Sequence, residues 1–499
     1  MSSYYLLIFA VAGLALLFLL KKRAQRLPLP PGPRGLPFIG NALSIPAERS
    51  WLTYHEWSKI FGDVVYVSAL GQSIVVLNSA QAISDLLEHR GAVYSDRVKM
   101  VMAGELVGYG DYAVMMPNDA RHREFRRLFS EVLNSRWVEE LRPLQENKVR
   151  NLLKGLLERP DAFREHIPRY IASLVFEISH GHTVKDDDDP YIRLAHQIDS
   201  DFSELTVPGA FLVDLFPFLR YIPEWTGVTF KKKARRFRQT LTEATDWPYQ
   251  QVKSRIAAGN AGPSFTASLI ERVRNEEDEW NFKRISGMFY AASLDTSVSS
   301  LESFILAMSV HPDKQRKAQA EIDRVVGSER LPTFEDRPQL TYVESVIKEV
   351  YRWNPVAPIA VPHKYSGETD DEYRGWRIPK DSIVIGNSWA VMHNAELYPS
   401  PFQFYPERYL EQEDVRFNPD PRKFAFGYGR RICPGRLLVD DTLFIAAVTV
   451  LALFDIGPLT SGDVPQYTPY SMDFRSHPEA FECSITPRPH IAARDLAYS

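Results

Sequence analysis

The chain has 499 residues, of which 44% are hydrophobic and 24% charged, and its formal net charge is −4. This composition is typical of an ordinary globular protein and lacks the general basic bias expected of a protein that binds nucleic acid. Two cysteines, Cys433 and Cys483, are too few for a disulfide scaffold, and Cys483 is expected to be a packed thiol.

The first predicted element is an uncharged apolar segment, residues 4–20, followed by Lys21, Lys22 and Arg23. At about 1.5 Å per residue, a helix of this length crosses most of a hydrocarbon core. Because positive charge stays on the cytosolic side, we expect residues 1–26 to be a single membrane anchor that leaves the body in the cytosol. A cleaved secretory signal is the alternative, but its basic flank would precede the apolar segment.

The body of the chain reads as one domain. Residues 27–41 are rich in proline, which should stiffen the connection to the anchor. Residues 63–78 contain two β-rich runs around a turn at Gly71, and most of the rest has a helical period. Length alone suggests about three domains, but no linker divides the chain after the hinge. We therefore expect residues 42–499 to form a single, mainly α-helical domain with a small β region.

One apolar segment, residues 285–310, carries polar side chains at its middle: Ser293, Asp295, Thr296 and Ser297. The segment is apolar enough to be a core helix. Burying so many polar groups costs free energy unless they form hydrogen bonds or take part in chemistry. Two interpretations stay open at this point: the hydroxyls bond back to carbonyls one turn earlier, or they belong to a site.

Glu349 and Arg352 occupy positions i and i+3 of a predicted helix, where they can form a charge-assisted hydrogen bond. Such pairs are common on solvated helices, so this pair alone indicates little. It lies about eighty residues before a distinctive cysteine segment, and Pro406, Glu407 and Arg408 lie between the two.

That cysteine segment is FGYGRRICPG, residues 426–435. Gly427 and Gly429 permit a tight turn with positive φ, and Pro434 is expected at the first position of a helix. The sulfur of Cys433 would then lie at the positive end of a helix dipole, where backbone N–H groups and nearby arginines favour the thiolate. Such a cysteine is a candidate metal ligand or nucleophile, and a buried structural thiol is the alternative.

Phe426, Gly429, Arg431, Cys433 and Gly435 fit F-x-x-G-x-R-x-C-x-G, which resembles the haem-binding loop of the cytochrome P-450 family. The resemblance extends from about residue 30 nearly to the end of the chain. It implies a mainly α-helical P-450 fold with a small β region and with haem b buried between helices. It also implies that the Cys433 thiolate is the axial ligand of the haem iron.

The resemblance extends to the polar helix, where residues 292–297 (ASLDTS) match the family's oxygen-activating motif. Thr296 would orient the oxygen ligand and its water, and Asp295 would supply protons. Ser293 departs from the family's usual glycine. The helix is therefore expected to bulge less over the haem, or to place a hydroxyl in the oxygen pocket, with an effect on how fully electrons are coupled to product.

Further roles follow from the same resemblance. The structural triad beneath the haem would consist of Glu349, Arg352 and Arg408. The haem propionates would be held by Arg97, His122, Arg126, His363 and Arg431. His122 stands where the family usually has tryptophan; it can still donate to a carboxylate, and its charged form is then favoured. A solvated basic helix over residues 116–129 is the alternative for His122.

Two surface features suggest partners. Residues 207–223, followed by the basic residues 231–238, form either a lid that dips into an anionic membrane surface or a core segment followed by a solvated helix. No flavin or nicotinamide module is visible, so the resemblance assigns electron supply to a membrane-bound NADPH-dependent reductase. A positive docking face for it could be formed by Arg121, Arg123, Arg127, Arg422 and Lys423.

The sequence therefore predicts a monooxygenase, anchored in the endoplasmic reticulum membrane and facing the cytosol, that oxidises a small apolar substrate. Substrate contacts are expected in residues 98–116 and 356–361 and around Asp473 and Phe474. In its residue patterns, the chain is most similar to fungal members of the family that serve secondary metabolism or xenobiotic oxidation. The alternatives are a haem-thiolate isomerase or dehydratase that needs no external electrons, and a non-enzymatic haem-binding protein.

Overall fold

A computed structural model describes residues 27–46, 48–185, 188–207, 209–410, 418–458, 470, 475–489 and 491–498. The α-helices are α1 (Ser50–Phe61), α2 (Ala80–Ile83), α3 (Gly91–Tyr94), α4 (Ala120–Val132), α5 (Ser135–Glu140), α6 (Arg142–Glu158), α7 (Phe163–His180), α8 (Pro190–Thr206), α9 (Leu212–Leu215), α10 (Phe230–Ala257), α11 (Phe265–Ile270), α12 (Glu276–Val310), α13 (Pro312–Val325), α14 (Thr341–Trp353), α15 (Ser388–Met392), α16 (Arg422–Ala425), α17 (Arg436–Leu453) and α18 (Ala493–Tyr498). The strands are β1 (Val64–Ala69), β2 (Gln72–Leu77), β3 (Asp96–Arg97), β4 (His363–Lys364), β5 (Asp371–Tyr373), β6 (Trp376–Ile378), β7 (Ile383–Gly386), β8 (Phe454–Pro458) and β9 (Cys483–Pro487).

The main core is helical, and α12 runs through it for 35 residues. This helix begins at Glu276, earlier than the apolar pattern from residue 285 predicted. Asn275 explains the earlier start, because its side chain accepts a hydrogen bond from the backbone N–H of Asp278 and so caps the helix. Acidic residues fill the first turn, where they interact favourably with the helix dipole.

The β region confirms the predicted hairpin. β1 pairs with β2 in antiparallel register, Val64 opposite Leu77, and Gly71 at the turn has a φ of 85°. The full sheet has the order β1-β2-β7-β4-β3, in which β7 lies parallel to β2. Pairing of β3 with β4 sets Arg97 opposite His363, although the two residues are far apart in sequence.

The proline-rich segment lies against this sheet. The carbonyl of Pro31 accepts a hydrogen bond from the N–H of Tyr66, 3.0 Å away, and the side chain of Asn41 accepts one from the N–H of Ser68, also at 3.0 Å. Within the described ranges, no helix combines the length and apolar composition needed to cross a bilayer. The predicted anchor, residues 1–26, lies outside those ranges.

The segment from Phe211 to Trp225 is divided between core and surface. Phe211 and Val213 are buried in a core shared with α10, whereas other apolar side chains of the segment are exposed. The exposed set, which we call the apolar lid, comprises Leu212, Leu215, Phe216, Phe218, Tyr221 and Trp225. Several of the basic residues on the following helix pair with carboxylates, as Lys233 does with Glu204. The core interpretation is therefore confirmed for Phe211 and Val213, whereas contact of the exposed side chains with a membrane stays a prediction.

Candidate functional site

Cys433 lies in the loop between α16 and α17. Its backbone N–H donates to the carbonyl of Phe426, 2.7 Å away, which closes the loop. Gly429 has a φ of 52°, and a Cβ there would lie 2.3 Å from the carbonyl oxygen of Leu87, so the loop needs glycine at this position. α17 begins at Arg436, and Pro434 precedes it in a turn instead of occupying the first helical position as predicted.

Different parts of the surroundings of Cys433 shift the pKa of its thiol in opposite directions. Burial raises its pKa, while the N–H groups of Gly435 and Arg436 and the charge of Arg126 lower it. Burial is the larger effect, so the prediction that the helix terminus and the arginines favour the thiolate is right in direction but not sufficient. A metal cation bound to the sulfur would hold the thiolate form.

Basic side chains lie near this loop and line one cavity: Arg97 and His122, which are buried, and Arg126 and Arg431, which are partly buried. The guanidinium of Arg97 donates to backbone carbonyls at 2.7 to 3.1 Å, and that of Arg431 does so at 2.7 to 3.0 Å. Burial and the neighbouring charge of Arg431 lower the pKa of Arg97, and burial lowers the pKa of Arg431 to about 10. An anionic ligand between these cations would be strongly favoured.

Arg126 connects this cationic wall to the cysteine loop. Its Nη1 donates to the carbonyl of Ile432, the residue before Cys433, at 2.6 Å. α4 holds Arg126 and His122 on one face because Asp119 caps the helix by accepting from the N–H of His122. Residues 120–132 are therefore not a solvated basic helix on this face.

The two histidines predicted to hold the propionates, His122 and His363, are both neutral in this structure. Burial, followed by the charges of Arg431 and its neighbours, lowers the pKa of His122 to about 3. His363 is buried behind Arg97, where Nδ1 lies 2.7 Å from the carbonyl of Tyr94. A carbonyl only accepts, so Nδ1 carries the proton and Nε2 of a neutral ring has none to donate. The structure brings His122 to the cavity wall and places His363 one layer behind it.

The hydroxyl groups of α12 mostly bond back along the helix. Ser293 donates to the carbonyl of Phe289 at 2.7 Å, Thr296 to that of Ala292 at 2.8 Å, and Ser297 to that of Ser293 at 2.6 Å. This is the first of the two interpretations of the polar segment, and it leaves α12 continuous. Ser293 and Thr296 nevertheless also line the cavity, so these hydroxyls are placed to serve a site if they turn away from the helix.

A cavity of about 310 Å³ lies between α12 and the cysteine loop. This volume lies within the roughly 300–1000 Å³ range of ordinary ligand pockets. Pro434, Gly435 and the cations form one end. The opposite part is largely apolar, with walls formed by Tyr109, Val114, Phe202, Met288, Val356 and Val361. Tyr109 and Val114 fall within the predicted range 98–116, and Val356 and Val361 within 356–361. Phe202 and Met288 were not predicted, and Asp473 and Phe474 lie outside the described residues.

Comparison with known proteins identifies this arrangement. The family model described as cytochrome P450 matches residues 30–483. The chain belongs to the cytochrome P450 family. It is 40% identical to cytochrome P450 monooxygenase 208 of Postia placenta, over 96% of this chain and 94% of that protein. It is also 40% identical to cytochrome P450 monooxygenase COX2 of Coprinopsis cinerea, over 96% and 92%. Tryptamine 4-monooxygenase of Psilocybe cyanescens is 37% identical over 94% of each chain.

These P450 relatives make the chain a haem-thiolate monooxygenase, and the cavity fits the haem b that the family uses. The lone loop cysteine would supply the thiolate ligand. The guanidinium groups of the cavity lack a nearby anion among their hydrogen bonds, and the two carboxylates of haem b would supply it. Arg97, Arg126 and Arg431 are placed to hold those carboxylates, with His122 beside them.

The predicted triad of this P450 also meets in space. Arg352 donates two hydrogen bonds of 2.8 Å to the carboxylate of Glu349. Arg408 Nε lies 3.2 Å from the same carboxylate. All three residues are buried, and Arg352 further donates to the carbonyls of Met392 and Pro401. The group therefore ties α14 to the loops that precede the cysteine segment.

Two functional candidates escaped the sequence analysis. His477 Nε2 lies 3.0 Å from Oδ2 of Asp295, and Arg475 Nη1 lies 3.2 Å from the same oxygen. His477 and Asp295 are 182 residues apart in the chain. The segment around them carries no motif, so no pattern in the sequence could have placed them beside α12.

Proposed function

We propose that this P450 inserts one oxygen atom of O₂ into a small, neutral, apolar substrate, with electrons from an NADPH-dependent reductase. The observation that carries the proposal is the single cavity that joins the cysteine loop and the cationic wall to an apolar chamber beside Thr296. When bound, the haem activates O₂ and oxidises the substrate, which no side chain can do alone.

The protein's own groups bind, orient and move protons. Cys433 would ligate the iron, and Arg97, Arg126 and Arg431 would hold the propionates. Thr296 would turn its hydroxyl from the carbonyl of Ala292 toward the cavity and hold a water there. Asp295, which directly precedes Thr296 in α12, would take part in proton supply.

The substrate is proposed to be neutral because of one ion pair. A relative's name describes a tryptamine 4-monooxygenase, and tryptamine carries an amine that a carboxylate would bind. In this chain Asp199 lines the cavity, but Arg475 pairs with it and offsets its charge. The apolar wall then favours a hydrocarbon-like substrate, which suits a role in fungal secondary metabolism.

The reductase is proposed to dock on the side of the cysteine loop. Among the five residues predicted for this face, Arg121, Arg127 and Arg422 pair with carboxylates of the chain. Arg123 and Lys423 are exposed, and Arg430 beside the loop is exposed as well. We therefore assign electrostatic attraction of an acidic partner mainly to Arg123, Lys423 and Arg430.

Membrane attachment is proposed to use residues 1–26 as the anchor and the apolar lid as a second contact. Phe218 is 65% exposed and Trp225 86% exposed, which is unfavourable in water but suits an interface with lipid. With the basic residues after residue 20 on the cytosolic side, the body would lie on the cytosolic face of the endoplasmic reticulum.

The proposal is tested by the visible spectrum of the reduced, CO-bound protein. We expect a strongly red-shifted Soret band, lost in Cys433→Ser and kept in Cys483→Ser. The second variant is the matched control, because Cys483 is the other cysteine and lies buried in β9. An imidazole-like band in folded wild-type protein would contradict the proposal.

Turnover separates the enzymatic alternatives. With reductase, NADPH and an apolar probe such as naphthalene, we expect an oxygenated product that requires both NADPH and O₂. Conversion that proceeds without reductase would support an isomerase or dehydratase. A correct spectrum with no turnover of any probe would support a haem-binding protein without this activity.

A further inference from the structure

Asp295 faces away from the haem cavity. It lines a second cavity, of about 370 Å³, between α7, α8 and α12, whereas Thr296 lines the first. Asp199 and Ala291 line both cavities, so α12 and Asp199 form the wall between them. Asp295, the proposed proton donor, and Thr296 therefore face different cavities on opposite sides of α12.

Charged side chains from four parts of the chain surround Asp295. His477 Nε2 and Arg475 Nη1 lie 3.0 and 3.2 Å from its Oδ2. Arg475 also pairs with Asp199 of α8. On its other side, His477 Nδ1 lies 3.5 Å from Oε2 of Glu302 on α12. Arg164 of α7 lies 3.4 Å from Oε1 of Glu302 and completes the cluster.

His477 lies between two carboxylates, those of Asp295 and Glu302, and each of these also contacts one arginine, Arg475 or Arg164. Burial opposes a charge on His477, but the contacts with Asp295 and Glu302 are stronger together and raise its pKa to about 9. At neutral pH the imidazolium is therefore the form present.

Asp295 itself holds no proton at neutral pH. Burial works to raise the pKa of its carboxyl, but the hydrogen bond from His477 and the charge of Arg475 hold it below the usual value. A carboxylate cannot act as an acid until a neighbour protonates it. His477 is in hydrogen-bond contact with Asp295 and carries such a proton.

We propose that His477 is the group that protonates Asp295 during turnover, with water as its source of protons. This inference rests on the proposed monooxygenase function. In the step, the N–H bond at Nε2 of His477 breaks and an O–H bond forms at Oδ2 of Asp295. The cation and the carboxylate become a neutral imidazole and a neutral acid. The neutral carboxyl group of Asp295 is then no longer held by the charge of Arg475. It can pass its proton across α12 toward Thr296.

A proton from water returns His477 to its cationic form. The His477 side chain is 23% exposed, so Nε2 can take a proton from solvent after the transfer. Per product, the reaction consumes one O₂, two electrons and two protons and releases one water. The reductase supplies the electrons in the proposed function, and His477 supplies protons from solvent, so no further reactant is needed.

The first test is titration of His477 in haem-loaded protein. Histidine labelled with ¹³C is followed by NMR in the diamagnetic, reduced, CO-bound form, and the signal of His477 among the 12 histidines is the one absent from His477→Gln. We expect it to titrate near pH 9 and to shift to lower pH by at least one unit in Asp295→Asn. Titration at or below pH 6.5 in the wild-type protein would overturn the proposal.

That titration depends on the titratable and charged side chains that line the cavity or belong to the cluster around Asp295 and His477. They are Arg164, Glu165 and Arg169 on α7, His196 and Asp199 on α8, Asp295 and Glu302 on α12, and Arg475 on the carboxyl-terminal segment. Glu302→Gln keeps the contact with Asp295 and removes one carboxylate. We expect this variant to lower the pKa at which His477 titrates without abolishing turnover. It therefore provides a second test if His477→Gln does not fold.

The second test compares two oxygen sources with naphthalene as probe. With reductase and O₂, His477→Gln should lower kcat at least tenfold and leave KM unchanged. With hydrogen peroxide, which brings its own protons, the same variant should stay within twofold of wild type. His89→Gln, on a side chain that is 74% exposed and outside this cluster, is the control and should match wild type in both assays.

The outcomes separate proton transfer from a structural role. Equal losses with O₂ and with peroxide would mean that His477 only stabilises the fold, and no loss with O₂ would mean that Asp295 is protonated by another route. Either result overturns the proposal. If wild-type protein gives no product from either oxygen source, the proposed function fails, and the titration of His477 still decides whether the cluster holds a proton.

Discussion

Arg352 and Glu349 form a bidentate ion pair in which both side chains are 0% exposed. The pair lies within one turn of α14, so its geometry is set by the helix. Arg408 adds a second guanidinium to the same carboxylate. Taking these charges out of water is costly, and the pair is tolerated because nearly all of its donors and acceptors are occupied.

Breaking the pair should destabilise the protein severely. Arg352→Ala leaves the carboxylate of Glu349 buried with one partner fewer, which costs on the order of 3–5 kcal/mol of unfolding free energy. Arg352→Lys keeps the charge but loses the two-pronged contact, so we expect a smaller loss. Urea unfolding monitored by far-UV circular dichroism measures both variants.

An exposed pair is the control for this experiment. Arg136 and Glu140 lie at i and i+4 of α5 with the Arg136 side chain 89% exposed. Arg136→Ala should change the unfolding free energy by less than about 0.5 kcal/mol. Comparable losses for Arg352→Ala and Arg136→Ala would contradict the role assigned to the buried triad.

Haem retention should depend on Arg126. Its guanidinium lines the cavity and donates to the carbonyl before Cys433, whereas Arg123 on the same helix is exposed. Arg126→Ala should speed the loss of haem to a scavenger protein at least tenfold, because a partly buried positive partner of the propionates is removed. Arg123→Ala should retain haem normally and weaken reductase binding instead. Equal haem loss from the two variants would argue against a propionate contact at Arg126.

The sequence predicted those features that depend on short spacing. The loop around Cys433, the Glu349–Arg352 pair and the hairpin around Gly71 each arise from residues that are close in the chain. The sheet order was not predictable, because β2 and β7 pair although about three hundred residues separate them. The same holds for His363, whose tautomer is set by the carbonyl of Tyr94 on a distant segment.

For the residues of α12 beside the cavity, the sequence again predicted some features and missed others. The motif predicted Thr296 and Ser293 beside the cavity, but the sequence left open whether their hydroxyls bond back to carbonyls in α12, which the structure shows that they do. The partners of Asp295 come from Arg475 and His477, which long-range packing alone brings to the helix. The second cavity has no counterpart in any sequence pattern.

Thr296 should govern how many electrons reach product. Thr296→Ala removes the hydroxyl on the cavity wall, and we expect product per NADPH to fall at least threefold while peroxide release rises. Ser300→Ala is the matched control, because its hydroxyl makes the same bond to a carbonyl one turn earlier, at 3.1 Å, but is buried in the core. The test is to measure the NADPH consumed and the product and peroxide formed by each variant. Identical yields from the two variants would show that the Thr296 hydroxyl has no special role.

Acid should destabilise the fold through His180. This side chain is buried between Ser179 and Ser286, and burial lowers its pKa from 6.5 to about 3. Between these two values the unfolded chain binds a proton that the folded chain does not, so the unfolding free energy falls as the pH is lowered through that window. The slope from one such group is at most about 1.4 kcal/mol per pH unit.

A non-titrating residue at position 180 isolates this contribution. His180→Asn should be less stable than wild type at pH 8, yet its urea midpoint should fall less steeply between pH 6.5 and 5. His89→Gln, on a surface side chain that is 74% exposed, should keep the wild-type slope. An unchanged slope in His180→Asn would mean that His180 becomes charged in the folded protein.

The apolar lid should bind lipid even without residues 1–26. Phe218 and Trp225 offer aromatic side chains to an interface, while Phe211 and Val213 anchor the segment in the core. Protein beginning at residue 27 should float with vesicles that contain anionic lipid, and Phe218→Ser with Trp225→Ser should reduce the bound fraction severalfold. The ion pairs of the following helix, such as Lys233 with Glu204, reduce its free positive charge, so added salt should weaken binding only modestly. Binding that vanishes in salt but survives the serine substitutions would assign attachment to charge instead of the lid.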